Sequence, residues 1–436
     1  MEAKKAYRKY PEDHCNPLNV DLNAPPINPE IDKIVSELAN PQGRERIPGV
    51  AVVVRKDNEI VHLNCYGYAN LENEAEVRLD TIFDLGSLSK QFTAVAVLSL
   101  VINNKLYLQD PLSKFFKGFP RYADAITVED LIHHTSGLPD YSAIYVQSRR
   151  AEEDWYDKIM ATENDWYPQM TSGKKEITNK DVLKWIATQT LLPRPPKTEY
   201  EYCNSGYVVL AELVARVTKK RLGEYLKEFL FEGLGMYDTY VFDETSRFPI
   251  DARQVVNHAK CYNRVSGGHF VPVGYTPLNF ITGDGNFHST IVDLAKWERN
   301  LHELEFNPVS DLLFKPVKVK SRKKQNYGAG WKLLRDKHES EVEVDGKPVM
   351  RKYERRADYH RGTWLGWRSF IARGSRWPVP KPGKKVDPKT VESLGIVVLS
   401  NAKFGHQQFT TCRIAQEISK VYWKRNNIMK QLNCEV

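Results

Sequence analysis

A mixed α/β chain, one sheet with a mainly helical lobe inserted into it, is what the sequence predicts. Three observations carry that prediction. β-rich runs cluster toward the two ends of the 436 residues, helical spacing fills the middle from about Ser87 to Arg299, and no internal repeat or long low-complexity linker divides the chain. Strands so far apart in sequence are then expected to join in one sheet, with the helices packed beside it. Apolar residues make up 41% and charged residues 27%, which suits a folded globular chain rather than a disordered one. The charge balance, 63 − 55 = +8, favours solubility and calls for neither nucleic acid nor an anionic membrane as partner. The expected organisation is a single domain over 1–436. An irregular arm spans 1–27, an α/β lobe about 28–86 and 310–436, and a helical lobe about 87–309.

Taken in order, the first thirty residues carry Pro11, Pro17, Pro25, Pro26 and Pro29, and so read as the irregular arm. Glu30–Ala39 places Ile31, Ile34, Val35 and Leu38 on one stripe, an amphipathic helix. Gly49–Arg55 and Glu59–Tyr68 are β-rich and read as a hairpin across Lys56-Asp57-Asn58. From Leu88 to Ile102 the chain is apolar nearly all round, as a helix buried in a large core must be. Asp181–Thr188, Gly206–Thr218 and Thr290–Asn300 read as further helices. Tyr141–Lys180 is long, polar and aromatic (Tyr145, Trp155, Tyr156, Trp166, Tyr167), either a surface loop or a pocket wall. Val342–Val344 and Val349–Tyr353 flank an Asp345-Gly346 hairpin turn. Tyr359–Ala372 and Leu394–Asn401 are strand candidates, and Gln407–Lys424 closes the pattern as a helix.

The N-terminal residues are charged and lack the apolar core of a secretory signal, and the most apolar run, Phe92–Ile102, falls short of the roughly 20 residues a spanning helix needs. Six cysteines (Cys15, Cys65, Cys203, Cys261, Cys412, Cys434) are scattered without close pairs, which predicts reduced thiols and a cytoplasmic location. No phosphate-cradling glycine loop or paired zinc-histidine helix occurs. His133-His134 are adjacent rather than a helical turn apart, so neither cofactor nor metal is expected. The basic run Lys315, Lys318, Lys320, Arg322, Lys323, Lys324 reads as a solvated face.

Three motifs can carry chemistry. Ser87 stands where a strand-like segment, Asp84-Leu85-Gly86, enters the buried helix, and Lys90 follows on the same helical face. A serine hydroxyl needs a base, and a lysine can be that base only if burial or a nearby cation brings its pKa toward neutral. The spacing alone is unspecific: it recurs at Ser172/Lys175, Ser321/Lys324 and Ser400/Lys403, none of which enters a buried helix from a strand. Tyr202-Cys203-Asn204 precedes the helix from Gly206. Tyr202 is either a packing aromatic or a proton shuttle, and Asn204 either caps the helix or binds a substrate amide. His360-Arg361-Gly362-Thr363 lies in a strand. A glycine there invites close backbone approach, which would suit an edge strand presenting the Thr363 N–H to an oxyanion, while His360 is equally readable as a structural histidine.

Ser87-x-x-Lys90, Tyr202-x-Asn204 and His360-x-Gly362, in this order, resemble the serine β-lactamase and penicillin-binding-protein family, related to class C β-lactamases. Ile126–Pro139, Gly233-Leu234-Gly235-Met236, and Gly283-Asp284-Gly285 with Ser289-Thr290 and Asp293-Leu294 are similar to other phrases of that family, so the likeness runs from about Gly49 to Asn401. It implies a β-lactamase/transpeptidase-like fold, an antiparallel sheet flanked by terminal helices. It also implies an acyl-enzyme mechanism: Ser87 attacks a carbonyl, Lys90 and Tyr202 share the proton work, and the N–H groups of Ser87 and Thr363 hold the oxyanion. Asn204, His360, Gly362, Thr363 and Tyr141 are the implied substrate-binding residues. His-x-Gly in place of Lys-Thr-Gly looks more like the D-aminopeptidase, DD-peptidase and esterase branch, which implies weak or no antibiotic hydrolysis. The expected partner is a small-molecule or short-peptide substrate carrying an ester or amide. An acyltransferase with a non-water acceptor and a non-catalytic scaffold are the alternatives.

Overall fold

A computed structural model describes residues 18–41, 43–44, 46–142, 177–189, 192–243, 257–265, 268–273, 278–303, 308–320, 326–344, 347–379, 386–387, 390–404, 410–423, 427–432 and 434. Most of the aromatic stretch after Tyr141, the Asp345-Gly346 turn, Cys15, and Arg322, Lys323 and Lys324 of the basic run lie outside the described residues. So do the pairs Ser172/Lys175 and Ser321/Lys324.

Six strands form the expected single sheet: β1 (Val50–Lys56), β2 (Glu59–Tyr66), β3 (Lys332–Val344), β4 (Lys347–Trp364), β5 (Trp367–Pro378) and β6 (Glu392–Ser400). Their spatial order is β3-β4-β5-β6-β1-β2, and every pairing is antiparallel. The β1–β2 hairpin turns at Asp57-Asn58, with Asp57 in the left-handed region at φ 53°. One expectation is corrected. Tyr359–Ala372 is not one strand but the ends of two, because β4 stops at Trp364 and β5 begins at Trp367. Leu365 turns the chain at φ 49°, and Gly366 follows where a Cβ would stand 2.1 Å from the Tyr262 carbonyl. An apolar turn between two tryptophans leaves no polar punctuation in the sequence.

The period of two in a strand sends alternate residues to opposite faces. Ala51, Val53, Ile371, Val397 and Leu399 face one core, shared with α2 (Ser89–Ile102), α3 (Asn204–Thr218) and α4 (Ile291–Glu303). Val52, Val54, Phe370, Ala372, Ile396 and Val398 face the other, under the terminal helices α1 (Pro29–Ala39) and α5 (Thr410–Tyr422). A buried ion pair ties α4 to the sheet: Glu298 takes the Arg55 guanidinium at 2.6 and 2.7 Å, in space left free by Gly395.

The cysteines are a second correction. Cys412 on α5 and Cys434 form a disulfide, so the six are not all reduced thiols. Asn427 and Lys430 hydrogen-bond back to α5 through Ser419 and Gln416, which folds the last segment onto the helix and brings the two Cα atoms to 5.6 Å. Cys65, Cys203 and Cys261 are free. The pairing removes the premise for a reducing compartment. No helix among the described residues is long and apolar enough to cross a membrane.

Candidate active site

The fold brings three sequence-distant ends together: the start of α2, the segment before α3, and the end of β4. Residue Tyr359 of β4 still pairs with Lys332 of β3, but β3 begins there, so among the described residues His360–Trp364 pair with β5 alone. The site therefore stands at a local strand edge, as the glycine at 362 suggested. Gly362 allows the approach: a Cβ there would lie 1.9 Å from the Leu85 carbonyl, to which Ser369 Oγ donates at 2.6 Å. Gly86, at φ +50°, is the matching glycine on the other side, where a Cβ would meet the Thr363 nitrogen at 2.7 Å. Asp84 holds this turn by accepting the Gly86 N–H at 2.7 Å. Thr363 is exposed and Ser87 half-buried, so both border open space.

Ser87 sits in a single 3₁₀ turn, Gly86–Leu88, that leads into α2, and Lys90 lies in the first turn of that helix. Lys90 is fully buried. Its Nζ donates to Ser87 Oγ at 3.0 Å, Asn204 Oδ1 at 2.8 Å and the Asp284 carbonyl at 2.7 Å. Burial lowers its pKa from 10.5 to about 8, against the opposing pull of Asp284 and Asp140. That is the direction a general base requires.

Tyr202 lies beside Ser87, whose side chain favours the ionised phenol, and Lys90 Nζ lies 4.9 Å from the centre of its ring. Burial holds the phenol well above its usual range, although Ser87 and the Arg361 cation pull the other way. Tyr202 thus rests as the neutral phenol rather than as a standing phenolate. Asn204 is the first residue of α3 and does not cap it. Its Oδ1 braces Lys90, and its Nδ2 donates to Asp140 Oδ2 at 3.2 Å and Ser142 Oγ at 3.0 Å.

His360 stands behind Tyr202, ring centres 6.2 Å apart, and only 2% of it is exposed. Nδ1 faces the Arg361 carbonyl at 2.8 Å and must donate there, so Nε2 accepts from the Tyr327 hydroxyl at 3.0 Å. Both ring nitrogens are committed, and burial with the charges of Lys90 and Lys332 keeps the ring neutral. Here His360 is a satisfied, supporting histidine and offers no free nitrogen to a substrate. Tyr141 is buried, and its hydroxyl donates to Asp284 Oδ2 at 2.7 Å.

Sequence reading missed Asp140, Asp284, Tyr327 and His134. Asp140 accepts the Asn204 N–H at 2.8 Å. The Asp284 carboxyl is buried near Lys90, with Oδ1 lacking a partner. Its one sequence signal was a carboxylate between two glycines. Gly283 is needed there because a Cβ would stand 2.4 Å from the Tyr207 carbonyl. As a unit, the site offers a half-buried hydroxyl, an amine whose burial favours the neutral form, a phenol close to the same hydroxyl, and a strand edge beside both.

Comparison with known proteins places these features in context. The family model described as Beta-lactamase matches residues 31–418. Penicillin-binding protein 4* of Bacillus subtilis is 24% identical over 74% of this chain and 64% of its own length. A D-aminopeptidase of Brucella anthropi is 28% identical over 58% of this chain. The chain spans only 42% of that relative's length. Among solved structures, the octameric penicillin-binding protein homologue from Pyrococcus abyssi superposes with a TM-score of 0.63 at 21% identity, covering 92% of this chain and 78% of the other. The D-amino acid amidase from Ochrobactrum anthropi SV3 gives 0.62 at 20% identity, covering 90% and 97%. At these identities the structural likeness speaks for the fold.

Proposed function

The chain belongs to the Beta-lactamase family, whose members in view are serine hydrolases, and from that premise we propose that it cleaves an ester or amide through an acyl-enzyme on Ser87. The observation that carries this reading is the 3.0 Å contact between Lys90 Nζ and Ser87 Oγ, made by a lysine whose burial favours the neutral amine. In the productive state Lys90 takes the Ser87 proton as the oxygen attacks the carbonyl, and Tyr202 passes a proton to the leaving group. The N–H groups of Ser87 and Thr363 hold the oxyanion, and water then releases the acyl group. The names of the amidase and aminopeptidase relatives favour a short peptide or amide with a D-residue, or a small metabolite of that kind. Arg361 does not share His360's side of the strand, which favours weak or absent β-lactam hydrolysis.

A fluorophosphonate probe read by intact mass tests the proposal. One adduct on the wild type and none on Ser87→Ala is expected. An unlabelled wild type, or an adduct that survives in Ser87→Ala, overturns it.

A further inference from the structure

Tyr202 lies in irregular backbone two residues ahead of α3, so no ladder of regular hydrogen bonds holds it where the reaction needs it. One residue holds both of its neighbours and packs on its ring. The His134 carbonyl accepts the Glu201 N–H at 2.9 Å, and His134 Nδ1 accepts the Cys203 N–H at 3.1 Å. The imidazole also packs on the Tyr202 ring, with centres 4.4 Å apart at 35°. From this geometry we infer that His134 is a positioning residue for Tyr202, clamping the peptide units on both sides of the phenol and backing its ring.

The inference rests on reading Tyr202 as the proton relay. Two features mark His134 as more than packing. Its backbone is left-handed at φ 57°, a conformation that is uncommon for a residue with a side chain and that here lets carbonyl and ring reach the same segment. Its Nδ1 accepts, so the proton sits on Nε2, and Nε2 is buried with no hydrogen-bond partner. An apolar residue would fill the space without leaving that N–H unmet. What the imidazole adds is the acceptor for Cys203. Burial, with the charge of Lys90 nearby, keeps the ring neutral, as an acceptor must be. Around this clamp the Cys203 thiol donates to the Leu138 carbonyl at 3.4 Å and the Lys197 N–H to the Thr135 carbonyl at 2.9 Å.

A double-mutant cycle on the full chain tests the clamp, with fluorophosphonate acylation of Ser87 as the rate. His134→Phe keeps a ring and removes the acceptor. His134→Asn restores an acceptor and tolerates the left-handed backbone. We expect His134→Phe to slow acylation at least about thirtyfold and His134→Asn to recover to within about threefold of wild type. In a Tyr202→Phe background, His134→Phe should cost less than about twofold more. An equal loss in both backgrounds, no loss, or an Asn variant as slow as the Phe variant overturns the clamp. Should His134→Phe not fold, His134→Ala takes its place in the same cycle. Amide hydrogen exchange judges the clamp apart from catalysis. Residues 201–203 should exchange at least about tenfold faster in the variant while α3 is unchanged, and unchanged exchange at 201–203 sinks the clamp. If the wild type is never labelled on Ser87, the acyl-enzyme reading fails and exchange alone decides whether His134 holds the segment.

Discussion

Lys90 is enclosed on every side, yet the proposed mechanism requires it to lose a proton before Ser87 becomes nucleophilic. With its pKa lowered to about 8, the ammonium dominates below that pH and the free amine above it. Acylation should therefore climb as pH rises through about 8 and level off beyond, which a rate profile in overlapping buffers reads directly. Lys90→Arg should abolish that limb and the activity with it, because a guanidinium does not deprotonate in this range. Asp284 works against the free amine, since its carboxylate favours the charged lysine. Replacing it, Asp284→Asn, should move the limb to lower pH, and an unmoved limb would show that the carboxylate has no hold on the lysine. At this scale Ser87, Lys90 and Tyr202 were legible, because each sits in a short motif at the mouth of a helix. Asp140, Asp284 and His134 were not, since only the folded backbone brings them to the lysine and the phenol. For His360 two readings were open, and its two committed nitrogens place it on the structural side.

Among the elements, the contact between the end of β4 and the turn before α2 decides whether the site exists. Gly362→Ala would drive a methyl group into the Leu85 carbonyl and Ser369 Oγ. We expect a loss of about 1–3 kcal/mol in stability and a near-complete loss of Ser87 labelling, measured by thermal melts and intact mass. The hairpin of β1 and β2 and the buried α2 could be read locally, from β-branched runs around a polar turn and from an apolar helix with no hydrophilic face. The break between β4 and β5 could not. Trp364-Leu365-Gly366-Trp367 reads as continuous strand, and the need for a glycine at 366 comes from the Tyr262 carbonyl, far away in sequence.

Across the whole molecule, the insertion of helices between distant strands followed from the distribution of strand-like and helix-like segments, whereas the terminal helices covering the sheet's other face came only with the family resemblance. The pairing of Cys412 with Cys434 did not follow, because it depends on the last segment doubling back along α5. Reduction should lower the melting temperature, reflecting about 3 kcal/mol for a closed loop of this size, while leaving acylation at 25 °C unchanged. A melting curve with and without reductant checks both parts.

The register Val50↔Ser400 carries a consequence for biosynthesis. On the ribosome, β1 can find β2 as soon as the hairpin emerges, but its other edge stays bare until β6, far downstream in the sequence, has been translated. Throughout elongation that open edge is an invitation to wrong partners. Cellular folding helpers that shield exposed strands would therefore be expected to matter most for nascent chains stalled just short of β6.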